Sequence, residues 1–235
     1  MSGWTAKRFW KDATTVSVDG GYSIELDGRP VKTPAKAALI VPTLALAKEI
    51  AAEWDAQDKT VDPTTMPFTR SANAAIDKVT IQHAEVADMV SDYGDSDLLC
   101  YRADTPQELC ARQAKAWNPL LDWADQVLNA RLETRTGVIH VAQDPRAIAN
   151  LRRIVHGYNA FELTALHDLV GMSGSLIIGL AAARGFESPA SLWEKSRVDE
   201  RWQAEQWGDD DEALEVEKNK MNEFQHAVKL LNLTK

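Results

Sequence analysis

The apolar residues of this 235-residue chain keep two different periods, and the change from one to the other limits the fold more than any other feature of the sequence. From Thr14 to Val41 they alternate: Thr14, Val16 and Val18, then Tyr22, Ile24 and Leu26, each set off by a polar neighbour, as a half-buried strand requires. Asp19-Gly20-Gly21 and Asp27-Gly28 interrupt the alternation with turn residues. The two prolines of Arg29-Pro30-Val31-Lys32-Thr33-Pro34 confine the next segment to short edge strands, because proline has no N–H to give to a ladder. At Pro42-Thr43 the period becomes helical. Leu44, Ala47, Ile50, Ala51 and Trp54 share a face, Thr43 is placed to cap it, and the segment predicts a helix lying on a small antiparallel sheet.

Beyond the loop at 58–67 almost every periodic segment is helical. Helices are expected over 71–79 and 82–93, the second ended by Gly94. Thr105-Pro106-Gln107-Glu108 has the composition of a capping box, with Thr105 as N-cap and Glu108 reaching back. It would open a long helix with the stripe Leu109, Ala116, Leu120, Trp123 and Val127, and Pro119 inside that stripe is expected to kink or divide it. Asp144-Pro145 starts another helix to about Tyr158. Segments 162–170 and 175–184 read as the most buried pair, Ser188-Pro189 starts the next helix, and 212–233 is amphipathic through Leu214, Met221, Phe224, Val228 and Leu231. The expected fold class is α+β: a small N-terminal antiparallel β-rich domain over residues 1–78, then a larger all-helical C-terminal domain over 79–235.

Charge is concentrated in one place. The chain carries a net charge of −9, and the stretch from Asp199 to Glu217 alone holds Asp199, Glu200, Glu205, Asp209, Asp210, Asp211, Glu212, Glu215 and Glu217 against the single cation Arg201. A chain of this sign without a basic stripe is not built to bind nucleic acid or an anionic membrane surface, so its partners should be neutral or basic. Within the acidic stretch, Trp202 and Trp207 fall on neighbouring helix faces. They suit a docking surface, and equally an amphipathic helix that buries its tryptophans and solvates its acids.

Other candidate chemistries fit poorly. Gly171-Met172-Ser173-Gly174-Ser175 has no lysine before the following helix and no preceding strand, so its small residues read as allowing helices to approach rather than as a phosphate cradle. His83, His140, His156, His167 and His226 lack the paired spacing of a metal site. The carboxylate pairs Asp199/Glu200, Asp95/Asp97 and Asp122/Asp125 are sequence neighbours without a nucleophile motif, which leaves a carboxylate-based hydrolase as the alternative to a binding protein. No nucleotide, cofactor or metal is expected. Cys100 and Cys110 are too few for a disulfide scaffold and point to a reducing compartment. The N-terminus lacks the apolar run of a secretory leader, and the run from Ser175 to Ala183 is about half of what a bilayer requires. A cytoplasmic protein is expected, or one already processed.

Several local motifs carry a resemblance. They are Arg8-Phe9-Trp10-Lys11, Leu26-Asp27-Gly28-Arg29-Pro30-Val31-Lys32-Thr33-Pro34, Glu53-Trp54-Asp55, Met66-Pro67-Phe68-Thr69-Arg70, Asp97-Leu98-Leu99-Cys100-Tyr101-Arg102, Leu163-Thr164-Ala165-Leu166, Gly174-Ser175-Leu176 and Gln203 through Gly208. Taken in order over residues 7 to 215, they resemble the ATP synthase assembly factor 2 family, chaperones of the F1-ATPase alpha subunit. The resemblance implies a β-rich domain followed by a helical one, no catalytic activity, and binding of the unassembled alpha subunit. It places the family's essential acid at Asp199 or Glu200, just upstream of Gln203 and Trp207, with Trp202 between them. Without the targeting presequence of eukaryotic members, a bacterial cytoplasmic member is implied, a processed mitochondrial matrix protein being the alternative. If both acids face solvent, reversing either should leave stability nearly unchanged.

Overall fold

The fold is that of a computed structural model, which describes residues 7–208 and 211–235. Asp209 and Asp210 of the acidic stretch, the side chain of Asp211, and the leader reading at Met1–Ala6 lie outside the described residues. The chain forms two compact units. One takes the chain up to His83 together with Ala160–Ala165 and Lys229–Lys235; the other takes Ala84–Asn159 and Leu166–Val228.

In the first unit, β1 (Ala13–Val18) and β2 (Gly21–Leu26) pair antiparallel with Thr15 opposite Ile24, and the turn falls at Asp19-Gly20. β3 (Arg29–Pro30) pairs with the end of β2, and β4 (Ile40–Val41) pairs with its beginning, Tyr22 opposite Val41. Glycine is required at position 21, because a Cβ there would lie 2.3 Å from the Val41 carbonyl oxygen. Helix α1 (Leu44–Asp55) covers β1 and β2 with Leu46, Ala47, Ile50 and Ala51, and Thr43 caps it by accepting from the Leu46 N–H at 3.2 Å.

Two of the sequence motifs meet at the far end of α1. The Glu53 carboxylate accepts from the Phe68 N–H at 2.6 Å, the Thr69 N–H at 2.8 Å and the Thr69 hydroxyl at 2.7 Å, and so caps α2 (Pro67–Ala74) from another helix. Burial raises the Glu53 carboxyl, while these three donors pull it back. The helix expected over 71–79 thus begins earlier, at Pro67, and after Ala74 it widens into a single π turn, Ala75–Val79, closed by the Thr80 N–H on the Ala75 carbonyl at 2.9 Å.

Among the described residues the second unit is helical apart from one parallel pair of two-residue strands, β5 (Tyr101–Arg102) and β6 (Arg135–Thr136). Its helices are α3 (His83–Asp92), α4 (Gln107–Leu128), α5 (Pro145–His156), α7 (Leu176–Ala183), α8 (Pro189–Ser196) and α9 (Val198–Trp207), with most of α6 (Ala160–Ser173) and α10 (Asp211–Leu233). Together the units give the α+β class expected, a strand-rich beginning followed by helices.

Three local expectations at α4 need correction. Pro106, not Thr105, stands at the N-cap and makes no side-chain cap bond, so Thr105 and Glu108 do not form a capping box. Of the kink or division expected at Pro119, the division does not occur: the helix runs on through the proline, which lies on its exposed side. The buried stripe is Gln113, Trp117, Leu120, Leu121, Trp123, Ala124 and Leu128, which includes the expected Leu120 and Trp123, whereas Val127 is 48% exposed.

A single buried carboxylate organises the centre of this unit. Asp97 accepts from the Leu99 N–H and from the Ile177 N–H, both at 3.0 Å, so it caps the short 3-10 turn Leu98–Cys100 and supports the start of α7 at once. Burial pushes its carboxyl up to about 6 against these donors. Every residue of α7 is buried, and a Cβ at Gly179 would sit 2.6 Å from Val170 Cγ2, so the small residues of this region do admit a close helix approach. Among the described residues no helix is long and apolar enough to cross a membrane.

Candidate functional site

The acidic stretch begins where α8 ends. Ser188 caps α8, whose Leu192 and Trp193 are buried, the Trp193 ring lying 5.6 Å from that of Phe224. Arg197 then leaves helical geometry and turns the chain into α9. Its guanidinium lies over the Trp193 ring at 5.0 Å, donates to the Met172 and Ser173 carbonyls, and pairs with Glu200 at 2.8 Å.

Helix α9 has no buried residue, yet side chains of other helices hold it at every turn. Asp199 is half-buried and accepts from Gln113 Nε2 at 2.7 Å, and Gln113 Oε1 in turn accepts from the Ala103 N–H at 2.9 Å. Glu205 pairs with Arg112 at 2.7 Å, and that bond holds its carboxyl below the usual carboxylate range. The same guanidinium covers the half-buried Trp202 ring at 4.8 Å. Arg201 pairs with Glu194 and reaches Glu217 at 3.5 Å. Asp199 and Glu200 both occupy the first turn, where the helix dipole favours negative charge. Gly208 ends the helix at φ +93°, a value that favours glycine.

The five residues expected to meet a partner therefore have different surroundings. Glu200, Gln203 and Trp207 are exposed, Trp207 by 81%. Trp207, Ala204 and Gln203 face a groove of about 620 Å³ whose other wall is Leu214 and Met221 of α10. Asp199 and Trp202 are half-buried and are held by α4. Of the stripe expected on α10, Phe224, Val228 and Leu231 are buried, but Leu214 is 47% exposed, so the first half of that helix is unburied in the same place as α9.

Sequence reading missed the α4 side chains that position the acids, Arg112 and Gln113. Gln113 did leave a signal: a glutamine on the stripe of Trp117, Leu120 and Leu121 must find polar partners once it is 2% exposed. Arg102, partly buried, is a further cation in this region, and the Asp199 charge acts on it. The arrangement presents carboxylates that donors of this chain already hold, beside an uncovered indole. It suits recognition of a surface. Among the described residues no three His, Cys, Asp or Glu side chains are grouped to hold a metal.

The family model of the ATP12 chaperone protein matches residues 7–125, from the segment before β1 to the last turn of α4, and so takes in Arg112 and Gln113. The chain belongs to the ATP12 chaperone family. Among its relatives, the mitochondrial protein atp12 of Schizosaccharomyces pombe is 27% identical over 231 residues, which cover 92% of this chain and 79% of that one. The crystal structure of Atp12 from Paracoccus denitrificans superposes with a TM-score of 0.95 at 46% identity, over 98% of this chain and 99% of that chain. An aspartate-to-lysine variant of the same protein gives a TM-score of 0.95 over 98% of both chains. A protein described as a putative chaperone from Agrobacterium tumefaciens is 42% identical with a TM-score of 0.94, over 98% of this chain and 87% of that one. Membership of the ATP12 chaperone family implies a binding role, not a catalytic one.

Proposed function

We propose that this ATP synthase assembly chaperone binds the unassembled alpha subunit of the F1-ATPase, in the cytoplasm of a bacterium, and shields its subunit interface until the beta subunit joins. Asp199, Glu200, Trp202, Gln203 and Trp207 of α9 form the core of the docking surface. An alpha subunit made ahead of its beta neighbours exposes a broad apolar face that favours aggregation, and covering that face removes the hazard. The observation that carries the reading is the state of α9. The helix is tied down by Gln113, Arg112, Arg197 and Glu194, yet it buries none of its residues and leaves the Trp207 ring 81% exposed. A large aromatic ring held on an ordered, charged element is the kind of residue that dominates binding energy at protein interfaces.

A second observation agrees. The Paracoccus denitrificans protein and its aspartate-to-lysine variant match this chain equally well, at a TM-score of 0.95, so one aspartate of that relative tolerates charge reversal without loss of fold. An acid that is dispensable for folding is free to serve a partner. The test is co-expression with the cognate alpha subunit, followed by pull-down and size-exclusion chromatography. The wild-type chain should retain the subunit. Glu200→Lys and Trp207→Ala should keep the fold and lose about 2–5 kcal/mol of binding, roughly a thirtyfold to several-thousandfold weaker complex. A wild-type chain that never co-elutes with the alpha subunit would refute the proposal.

A further inference from the structure

The first unit carries a groove of about 600 Å³ that the acidic helix does not explain. Its floor is aromatic, from Phe9, Trp10 and Trp54, and its rim carries Lys7, Arg29 and Lys32. Among the described residues none that lines it is acidic, in a chain of net charge −9. Trp10 is 4% exposed and meets the half-buried Trp54 edge-on at 5.3 Å, whereas Phe9 is 63% exposed, with the Arg29 guanidinium 5.9 Å from its ring centre.

The segment that displays Phe9 is fixed at both ends. Lys7 bridges to Thr60, and the Arg8 N–H donates to the Lys59 carbonyl at 3.0 Å. The Arg8 guanidinium donates to the carbonyls of Trp10, Lys11, Asp55 and Gln57. After Trp10, the Asp27 carboxylate accepts from the N–H groups of Lys11 and Asp12, which lowers its pKa. A side chain carried on so constrained a backbone loses little freedom when a partner covers it.

We infer that this groove is a second docking site for the alpha subunit, and that it takes an acidic apolar segment: a large hydrocarbon side chain on the aromatic floor, with a neighbouring carboxylate held by Arg29 and Lys32. The inference rests on the alpha-subunit reading. It adds a surface whose charge is opposite to that of α9, so a client must present both a basic and an acidic patch to engage both. Such paired complementarity discriminates against apolar proteins that carry only one.

The experiment measures affinity for the purified alpha subunit with the full chain, at low and at moderate salt, for the wild type, Phe9→Ser, the double variant Arg29→Glu/Lys32→Glu, and Arg29→Lys. All three altered side chains are exposed, so melting temperatures should stay at the wild-type value. The serine and double-glutamate variants should each bind at least tenfold more weakly. Arg29→Lys should bind nearly as the wild type, and salt should weaken the wild-type complex more than the double-glutamate one. Unchanged affinity in the serine and glutamate variants, with Glu200→Lys impaired, would overturn this inference and leave the α9 reading standing. A wild-type chain that does not bind the alpha subunit would overturn both. A wild-type chain that dimerises alone, and that Phe9→Ser turns monomeric, would assign the groove to a second copy and overturn the inference as well.

Discussion

Asp199→Lys and Glu200→Lys reverse neighbouring charges in the first turn of α9, yet the two should differ in their cost to stability by about 1–3 kcal/mol. Both lose the favourable interaction of an acid with the helix N-terminus, worth roughly 0.3–1 kcal/mol. Glu200 is exposed and gives up one ion pair with Arg197, a type of contact worth about 0–1 kcal/mol. Arg197 keeps its carbonyl acceptors and its place over Trp193. Asp199 differs because Gln113 Nε2 donates to it at 2.7 Å and Gln113 is only 2% exposed. Lysine offers no acceptor, so a buried donor is left unpaired, and this accounts for the 1–3 kcal/mol difference. For a chain of this length it corresponds to roughly 3–9 °C in melting temperature. Asp199→Asn is the control, since its amide oxygen can still accept from Gln113, and it should stay within about 1 kcal/mol of the wild type. Thermal and urea unfolding followed by circular dichroism and tryptophan fluorescence would measure all three. If Asp199→Lys melts with Glu200→Lys, the Gln113 bond contributes nothing in solution and the assignment of unequal roles to the two acids fails. The premise that both acids face solvent, on which the sequence expectation of silent reversals depended, is met by the exposed Glu200 and not by the half-buried Asp199.

Two further predictions concern the second unit. Asp97 holds its proton up to about pH 6 in the native chain and only to about 4 when unfolded, so between these values the native state binds more protons and its stability falls as pH rises. Asp97 contributes at most about 3 kcal/mol to this fall, so pH-dependent urea titrations should show a steeper fall for the wild type than for Asp97→Asn, in which the raised Glu53 carboxyl still acts in the same direction; a parallel dependence in the two would contradict the assignment. Gly179→Ala should destabilise by about 1–3 kcal/mol, because the added methyl would sit 2.6 Å from Val170 Cγ2, and truncation with Val170→Ala should recover part of the loss; an alanine variant as stable as the wild type would show that α6 and α7 have room to separate.

What the sequence disclosed is what short-range physics decides. Thr43, Asp144, Ser175 and Ser188 cap the helices that follow them, each through a bond to an N–H two or three residues on, and such caps are visible in a five-residue window. Thr105 had the same appearance and failed, because the helix starts one residue later, at Gln107. The caps that join segments left no local trace: Glu53 serves α2 from 15 residues away, and Asp97 reaches Ile177 across 80. Trp207 was legible as an aromatic among acids. The partners of Asp199 and Trp202 were not, since Gln113 lies 86 residues from Asp199 and Arg112 comes from the same remote helix. Val127 and Leu214 stand on the apolar stripes read from the sequence and yet are about half exposed, because a periodic pattern names a face and only the neighbouring elements decide how much of it they cover.

The order of synthesis has a bearing on the first unit. Its sheet and α1 are made early, but residues 229–235 belong to the same unit, with Leu230 and Leu231 each 1% exposed. Lys229 pairs with Glu49 at 2.9 Å and lies over the Phe68 ring, and Thr43, which caps α1, donates its hydroxyl to the Leu233 carbonyl. On the ribosome these partners are separated by the whole of 84–228. The unit that starts first can therefore be completed only after the residues of the other have all been made, and until then α1 and its sheet wait with part of their covering absent. A chaperone wired in this way closes its first unit last, and a nascent chain stalled before residue 229 would lack that part of its covering, open to the same aggregation it is proposed to prevent in its client.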